Sequence, residues 1–109
     1  MMKVNAKIWL EHNGEVIFGQ GPKELLTRVK KLGSLSKAAS SMKMSYSKAW
    51  NLINRIENEL GYKLLEKKVG GVSGGSSTLT AKGEDFIEKF KYVEEELNKA
   101  MDKITKEIF

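Results

Sequence analysis

The stretch GSLSKAASSMKMSYSKAWNLINRIENELG, Gly33 to Gly61, decides the fold. It reads as two helices joined by a tight turn. Leu35 to Met42 forms a short first helix with Ala38 and Ala39 at its centre, where small side chains let a second helix cross closely. Met44 begins the turn, and Ser45 is placed to cap the next helix through its hydroxyl. From there Ala49, Ile53, Ile56 and Leu60 recur at steps of 4, 3 and 4, an apolar stripe for the core. Tyr46, Ser47, Trp50, Asn51, Asn54, Arg55 and Asn58 fall on the opposite surface, a donor-rich face suited to a groove.

Toward the N-terminus, Leu25, Leu26, Val29 and Leu32 form another helical stripe, opened by Gly21-Pro22 with Pro at the first helical position and closed by Gly33 as a left-handed cap. Before it, Val4, Ala6, Ile8 and Leu10 alternate with polar or interfacial residues, and Val16 to Phe18 follows Asn13-Gly14. That is a β-hairpin with a type I′ turn. A two-residue loop pairs His12 with Glu15 and sets Leu10 opposite Ile17 and Trp9 opposite Phe18. The lone His12 reads as a surface residue, not a metal ligand or catalytic base.

Toward the C-terminus, Tyr62 to Val69 has strand character and Thr78 to Thr80 returns beside it. Residues 70–77 between them form a glycine-rich tip. This reads as a wing, with Lys67 and Lys68 at its base and Ser73 and Gly74 at its tip near a phosphate backbone. Strand alternation lets only one of the two lysines face the DNA. Ala81 to Phe109 is a single long helix in which Phe86, Phe90, Val93, Leu97, Ala100 and Ile104 step by 4, 3, 4, 3 and 4. A heptad seam of this kind needs a partner, and a second copy of the chain is the expected one, with folding back onto the domain's own apolar surface as the alternative.

Composition narrows the function. The 109 residues suffice for one modest core, no cysteine is present for disulfides or thiolate metal sites, and no apolar run approaches the roughly 20 residues of a membrane span. A cytoplasmic location is expected. The net charge of +5 is segregated: residues 23–68 carry eleven Lys/Arg against four acids, while residues 82–109 carry six Lys against eight acids. A cationic head on a mildly acidic tail suits a polyanion partner. One histidine, no cysteine and no Gly-Lys-Ser/Thr phosphate loop leave no catalytic constellation, so no enzyme and no cofactor are expected.

Gly33-Ser34-Leu35-Ser36, Ala38-Ala39, Ser45-Tyr46, Ala49-Trp50 and the glycine-rich stretch ending in Leu79-Thr80 with Gly83 together resemble the winged helix-turn-helix domain of the molybdate-responsive ModE regulators, relatives of the LysR-type DNA-binding domain. That family often places a basic residue directly after the tyrosine; here Ser47 stands there and Lys48 follows. The family's molybdate-binding domains would lie beyond residue 109, so this chain is not expected to sense molybdate itself, and a separate effector-binding protein is a possible partner.

The expected architecture is mainly α with small β. Residues 1–80 form a winged helix-turn-helix domain, with a hairpin at 1–21, a three-helix core at 22–61 and a wing at 62–80; residues 81–109 form a dimerisation helix. The expected function is a dimeric, sequence-specific DNA-binding transcriptional regulator on an inverted repeat of double-stranded DNA. Its contacts come from Ser45, Tyr46, Ser47, Lys48, Trp50, Asn51, Asn54 and Arg55 on the recognition helix and from the wing residues above, with packing against a neighbouring element an equal alternative for Trp50. The alternative is a protein-interaction adaptor that reuses the scaffold without binding nucleic acid.

Overall fold

The computed structural model describes residues 1–68 and 76–109. Among these residues the order is β1 (Leu10–His12), β2 (Glu15–Phe18), α1 (Gln20–Leu32), α2 (Leu35–Ser41), α3 (Tyr46–Leu60), β3 (Leu65–Lys68), β4 (Ser76–Leu79) and α4 (Ala81–Ile108). The two sheets, β1-β2 and β3-β4, are each a two-stranded antiparallel pair. This is the expected winged helix-turn-helix with an N-terminal hairpin and a long C-terminal helix.

Helices α2 and α3 form as their sequences dictate. Ser34 and Ser45 cap them by accepting from the amides of Lys37 and Lys48. Ala38, Ala39 and Ala49 are fully buried where the two helices cross. The turn between them is carried by Lys43, a non-glycine residue at φ 56°, with the Met44 amide donating 2.9 Å back to the Ala39 carbonyl. Arg28 of α1 closes the far end of α2, its Nη1 donating 2.9 Å to the Ser41 carbonyl.

The hairpin departs from the simple register. Asn13 and Gly14 have φ values of 52° and 81°, as a type I′ turn requires, and His12 faces Glu15. A bulge between Leu10 and Glu11 then sets Leu10 opposite Phe18, not Ile17. Trp9 consequently lies outside the ladder, and its indole donates to Glu11 Oε2 at 3.3 Å. Nor does the strand extend to Val4. Because β2 ends at Phe18 and α1 begins at Gln20, residues 4–8 have no strand to pair with. At the start of this segment the Val4 amide donates 3.0 Å to Thr105 Oγ1 of α4, and at its end Ile8 packs against the core.

Helix α1 starts earlier than Gly21-Pro22 suggests. Gly19 is its N-cap, so Pro22 is the third helical residue, still within the turn whose amides lack helical acceptors. Gln20 in the first turn reaches Glu94 Oε2 at 2.7 Å, and Lys23 reaches Glu94 Oε1 at 2.7 Å. Burial works to raise the Glu94 pKa, but the hydrogen bonds from Lys23 and Gln20 outweigh it and hold the carboxyl below its ordinary value. Leu25, Leu26 and Val29 are buried as expected, whereas Leu32 is 40% exposed at the helix end.

The tail helix needs the largest correction. Phe86 and Phe90 were expected in the dimer seam. Phe90 is instead buried in the domain's own core and Phe86 packs against it, their rings edge-on to Phe18 at centroid distances of 5.0 and 4.8 Å. Such pairs add about 0.5–1.5 kcal/mol each beyond area burial. Ile87 joins them. Only beyond Phe90 does the seam emerge into solvent, with Val93, Leu97, Ala100 and Ile104 all exposed. The helix is about 42 Å long at the standard rise and gives the molecule its 57 Å long axis.

Helix α4 is seated through its first turn. Thr80 accepts from the Gly83 amide at 2.9 Å while donating 2.7 Å to the Lys63 carbonyl. A Cβ on Gly83 would lie 2.4 Å from the Leu64 carbonyl oxygen, too close for any side chain. Gly83→Ala should therefore lower stability by about 1–3 kcal/mol through overpacking, although helix propensity alone favours alanine by about 1 kcal/mol. Denaturant unfolding decides between the two effects, and a raised midpoint would show that α4 does not seat on Leu64.

Candidate nucleic-acid interface

Helix α3 presents two adjacent rows of side chains away from the core. Tyr46, Trp50 and Asn54, one turn apart, lie toward β3 of the wing. Ser47 and Asn51 form the next row and are exposed, as is Lys48. Among the described residues, the side chains of Ser47 and Asn51 meet no hydrogen-bond partner, and Ser45 is engaged as the cap. The open polar row therefore sits at the start of the helix, where the unpaired amides and positive dipole end also lie.

Lys67 extends from β3 over the first row. Its Nζ lies 5.0 Å from the centroid of the Tyr46 ring and 5.3 Å from that of Trp50, and it donates to the Tyr46 hydroxyl. Trp50, Asn54 and Lys67 then form one side of a groove of about 300 Å³ whose other lining residues include Leu35, Ile53 and Leu65. Wing and recognition helix thus share one surface.

Two expected contacts are placed differently. Arg55 Nη2 donates 2.8 Å to the Val16 carbonyl, bracing α3 against the hairpin, so its guanidinium serves the fold. Ser73 and Gly74 lie outside the described residues, as does the side chain of Lys68.

One residue of consequence escaped the sequence reading. Glu57 is 7% exposed, and its Oε2 accepts from the amides of Leu64 and Leu65 at 2.7 and 3.3 Å. Lys63 Nζ approaches Oε1 at 3.5 Å. A carboxylate on the recognition helix thereby holds the start of the wing. The signal was an acid directly beside Ile56, in phase with the apolar stripe. On the other side, the Ser77 amide of β4 donates 3.0 Å to the carbonyl of Gly33, the αL residue ending α1.

Residues 24–84 match the bacterial regulatory helix-turn-helix protein, lysR family. The chain belongs to that family. It is similar to the DNA-binding transcriptional dual regulator ModE of Escherichia coli K12, 32% identical over 78 residues that make up 72% of this chain and 30% of the relative. The molybdenum transport protein ModE of Azotobacter vinelandii is 29% identical over 84 residues, covering 77% of this chain and 31% of that protein. The molybdenum-pterin-binding protein MopA of Rhodobacter capsulatus is 29% identical over 96 residues, covering 88% and 36%. The chain thus spans about a third of the length of these relatives. In the crystal structure of the CbnR_DBD–DNA complex, the protein chain shares the fold, with a TM-score of 0.59 at 22% identity over 82% of this chain and 97% of that one.

The Glu57 contact can be tested in isolation. Glu57→Ala leaves two buried amides without their acceptor and should cost about 1–3 kcal/mol. Hydrogen exchange at Leu64 and Leu65 should quicken beyond the global loss of stability. Unchanged relative protection of these two amides would show that Glu57 does not hold the wing.

Proposed function

We propose that this chain is the DNA-binding part of a transcriptional regulator, with α3 in the major groove and the wing against the backbone. The carrying observation is the open row of Ser47 and Asn51 at the positive end of a helix whose opposite face is fully committed to the core. An asparagine amide can both donate and accept, which suits the N6/N7 edge of adenine. Lys48 and Lys67 supply phosphate contacts, and the basic excess of residues 23–68 supplies the general attraction. The name of the Escherichia coli relative supports the reading, as does a fold shared with a protein crystallised on DNA. The lysR-type family is one of regulators and not of enzymes. No helix among the described residues is long and apolar enough to cross a membrane.

The same reading includes a homodimer on an inverted repeat. Val93, Leu97 and Ile104 are 38%, 43% and 48% exposed along one stripe of α4, and pairing two copies there would relate two recognition helices by a two-fold axis. The domain spans residues 1–80 with the pairing helix at 81–109, although Phe86 and Phe90 belong to the core.

Asn51→Ala should lose about 1–3 kcal/mol at the preferred site while scarcely weakening binding to random duplex. Sites selected from a random DNA pool provide the specific duplex. Equal losses on both duplexes would remove Asn51 from base reading, and absence of any shift with bulk DNA at low salt would favour the adaptor.

Placing Asp at both Val93 and Leu97 should give monomers by light scattering, with the domain's own melting transition retained. An intact dimer would put the interface elsewhere.

A further inference from the structure

We propose that Tyr46 and Trp50 form a seat for the Lys67 ammonium and act on DNA through that lysine. They are positioning residues, not readers of bases. The inference rests on the DNA-binding reading of α3 and deepens it. Tyr46 and Trp50 are four residues apart on the helix, so their rings stand one above the other on the row facing β3. The Nζ of Lys67 donates to the Tyr46 hydroxyl, beyond the edge of that ring, and lies 5.3 Å from the centroid of the Trp50 ring, within cation–π range. Two interactions therefore converge on one ammonium, a hydrogen bond and a cation–π contact.

The chemistry of the seat matters. A carboxylate partner would orient a lysine but neutralise it, as Glu57 does to Lys63. Among the described residues, no carboxylate pairs with Lys67. A neutral phenol oxygen holds the cation by a hydrogen bond and an indole face attracts it through its quadrupole, and both leave its full charge for a phosphate. A free lysine must also give up much rotamer freedom when it contacts DNA, and a seated one has already done so. Tyr46 and Trp50 are 46% and 41% exposed, so the seat lies at the surface where a phosphate can reach the ammonium. The wing's cation is thus delivered in register with the reading row of Ser47 and Asn51.

Two measurements on the intact chain test this. In the free protein, ring currents should move the Lys67 Hε resonances upfield of those of other lysines, and Trp50→Leu should return them. With DNA, binding is followed across a salt series for wild type, Lys67→Met, Trp50→Leu, Trp50→Phe and the Lys67→Met/Trp50→Leu double variant. Lys67→Met should reduce the magnitude of the log-log salt slope by about one unit. Trp50→Leu should weaken binding about two- to fivefold, Trp50→Phe should restore most of that, and the double variant should bind no worse than Lys67→Met alone. Lys67 Hε resonances at ordinary positions would overturn the seat. A Trp50→Leu loss that persists in the Lys67→Met background, or that falls on one operator only, would make Trp50 a base reader and overturn the proposal. Upfield resonances in a wild-type protein that binds no DNA would overturn the functional reading, and the proposal with it.

Discussion

The edge-on meeting of Phe18 with Phe86 and Phe90 is the contact on which the arrangement depends. A two-stranded hairpin is marginal in water, and so is a lone helix with one apolar stripe. Here each supplies the other's missing surface. The hairpin delivers Phe18 into the core, α4 closes over it from the opposite end of the chain, and α1 begins at once after Gly19 so that Leu25, Leu26 and Val29 fill the space beneath. Glu94 then ties α4 to the first turn of α1. Residues far apart in sequence thus make one body from which only the distal half of α4 projects.

Within that body, α3 has two duties that its periodicity keeps apart. Its buried face is Ala49, Ile53 and Ile56, and its outer rows carry the polar side chains. Between them Glu57 is a polar group placed at a core phase, tolerable because backbone amides of the wing satisfy it. The result is that the wing is attached to the recognition helix itself. With β4 hydrogen-bonded to Gly33, the wing is held from both sides of the helix-turn-helix.

Much of this was legible because local chemistry decided it. Ser45, Gly33 and Asn13-Gly14 are strong short-range signals, and the structure places each in its expected role. The heptad pattern of α4 was read correctly as apolar but assigned to the wrong partner at Phe86 and Phe90, since periodicity shows which face is apolar and not what covers it. The late start of β1 depends on where β2 ends and α1 begins, a tertiary matter. At the interface, the outward face of α3 was visible from helical phase. The roles of Arg55 and Lys67 were not, because a long cation reaches whatever a neighbouring element offers: the Val16 carbonyl for one, and the Tyr46 hydroxyl and the Trp50 ring for the other.

The close approach of Gly83 to the Leu64 carbonyl makes the tail a ruler. A helix docked through flexible side chains could swing about its root, but here backbone lies against backbone, with Thr80 pinning the first turn to Lys63 and Leu64. Rotating α4 about its own axis would drive a neighbouring side chain into the Leu64 backbone. The angle between the reading helix and the projecting seam is thus built into each copy. For a pair joined along that seam, the distance between the two reading heads is a fixed length, and an operator with one base pair too many between its halves presents the second half turned by about a tenth of a helical turn.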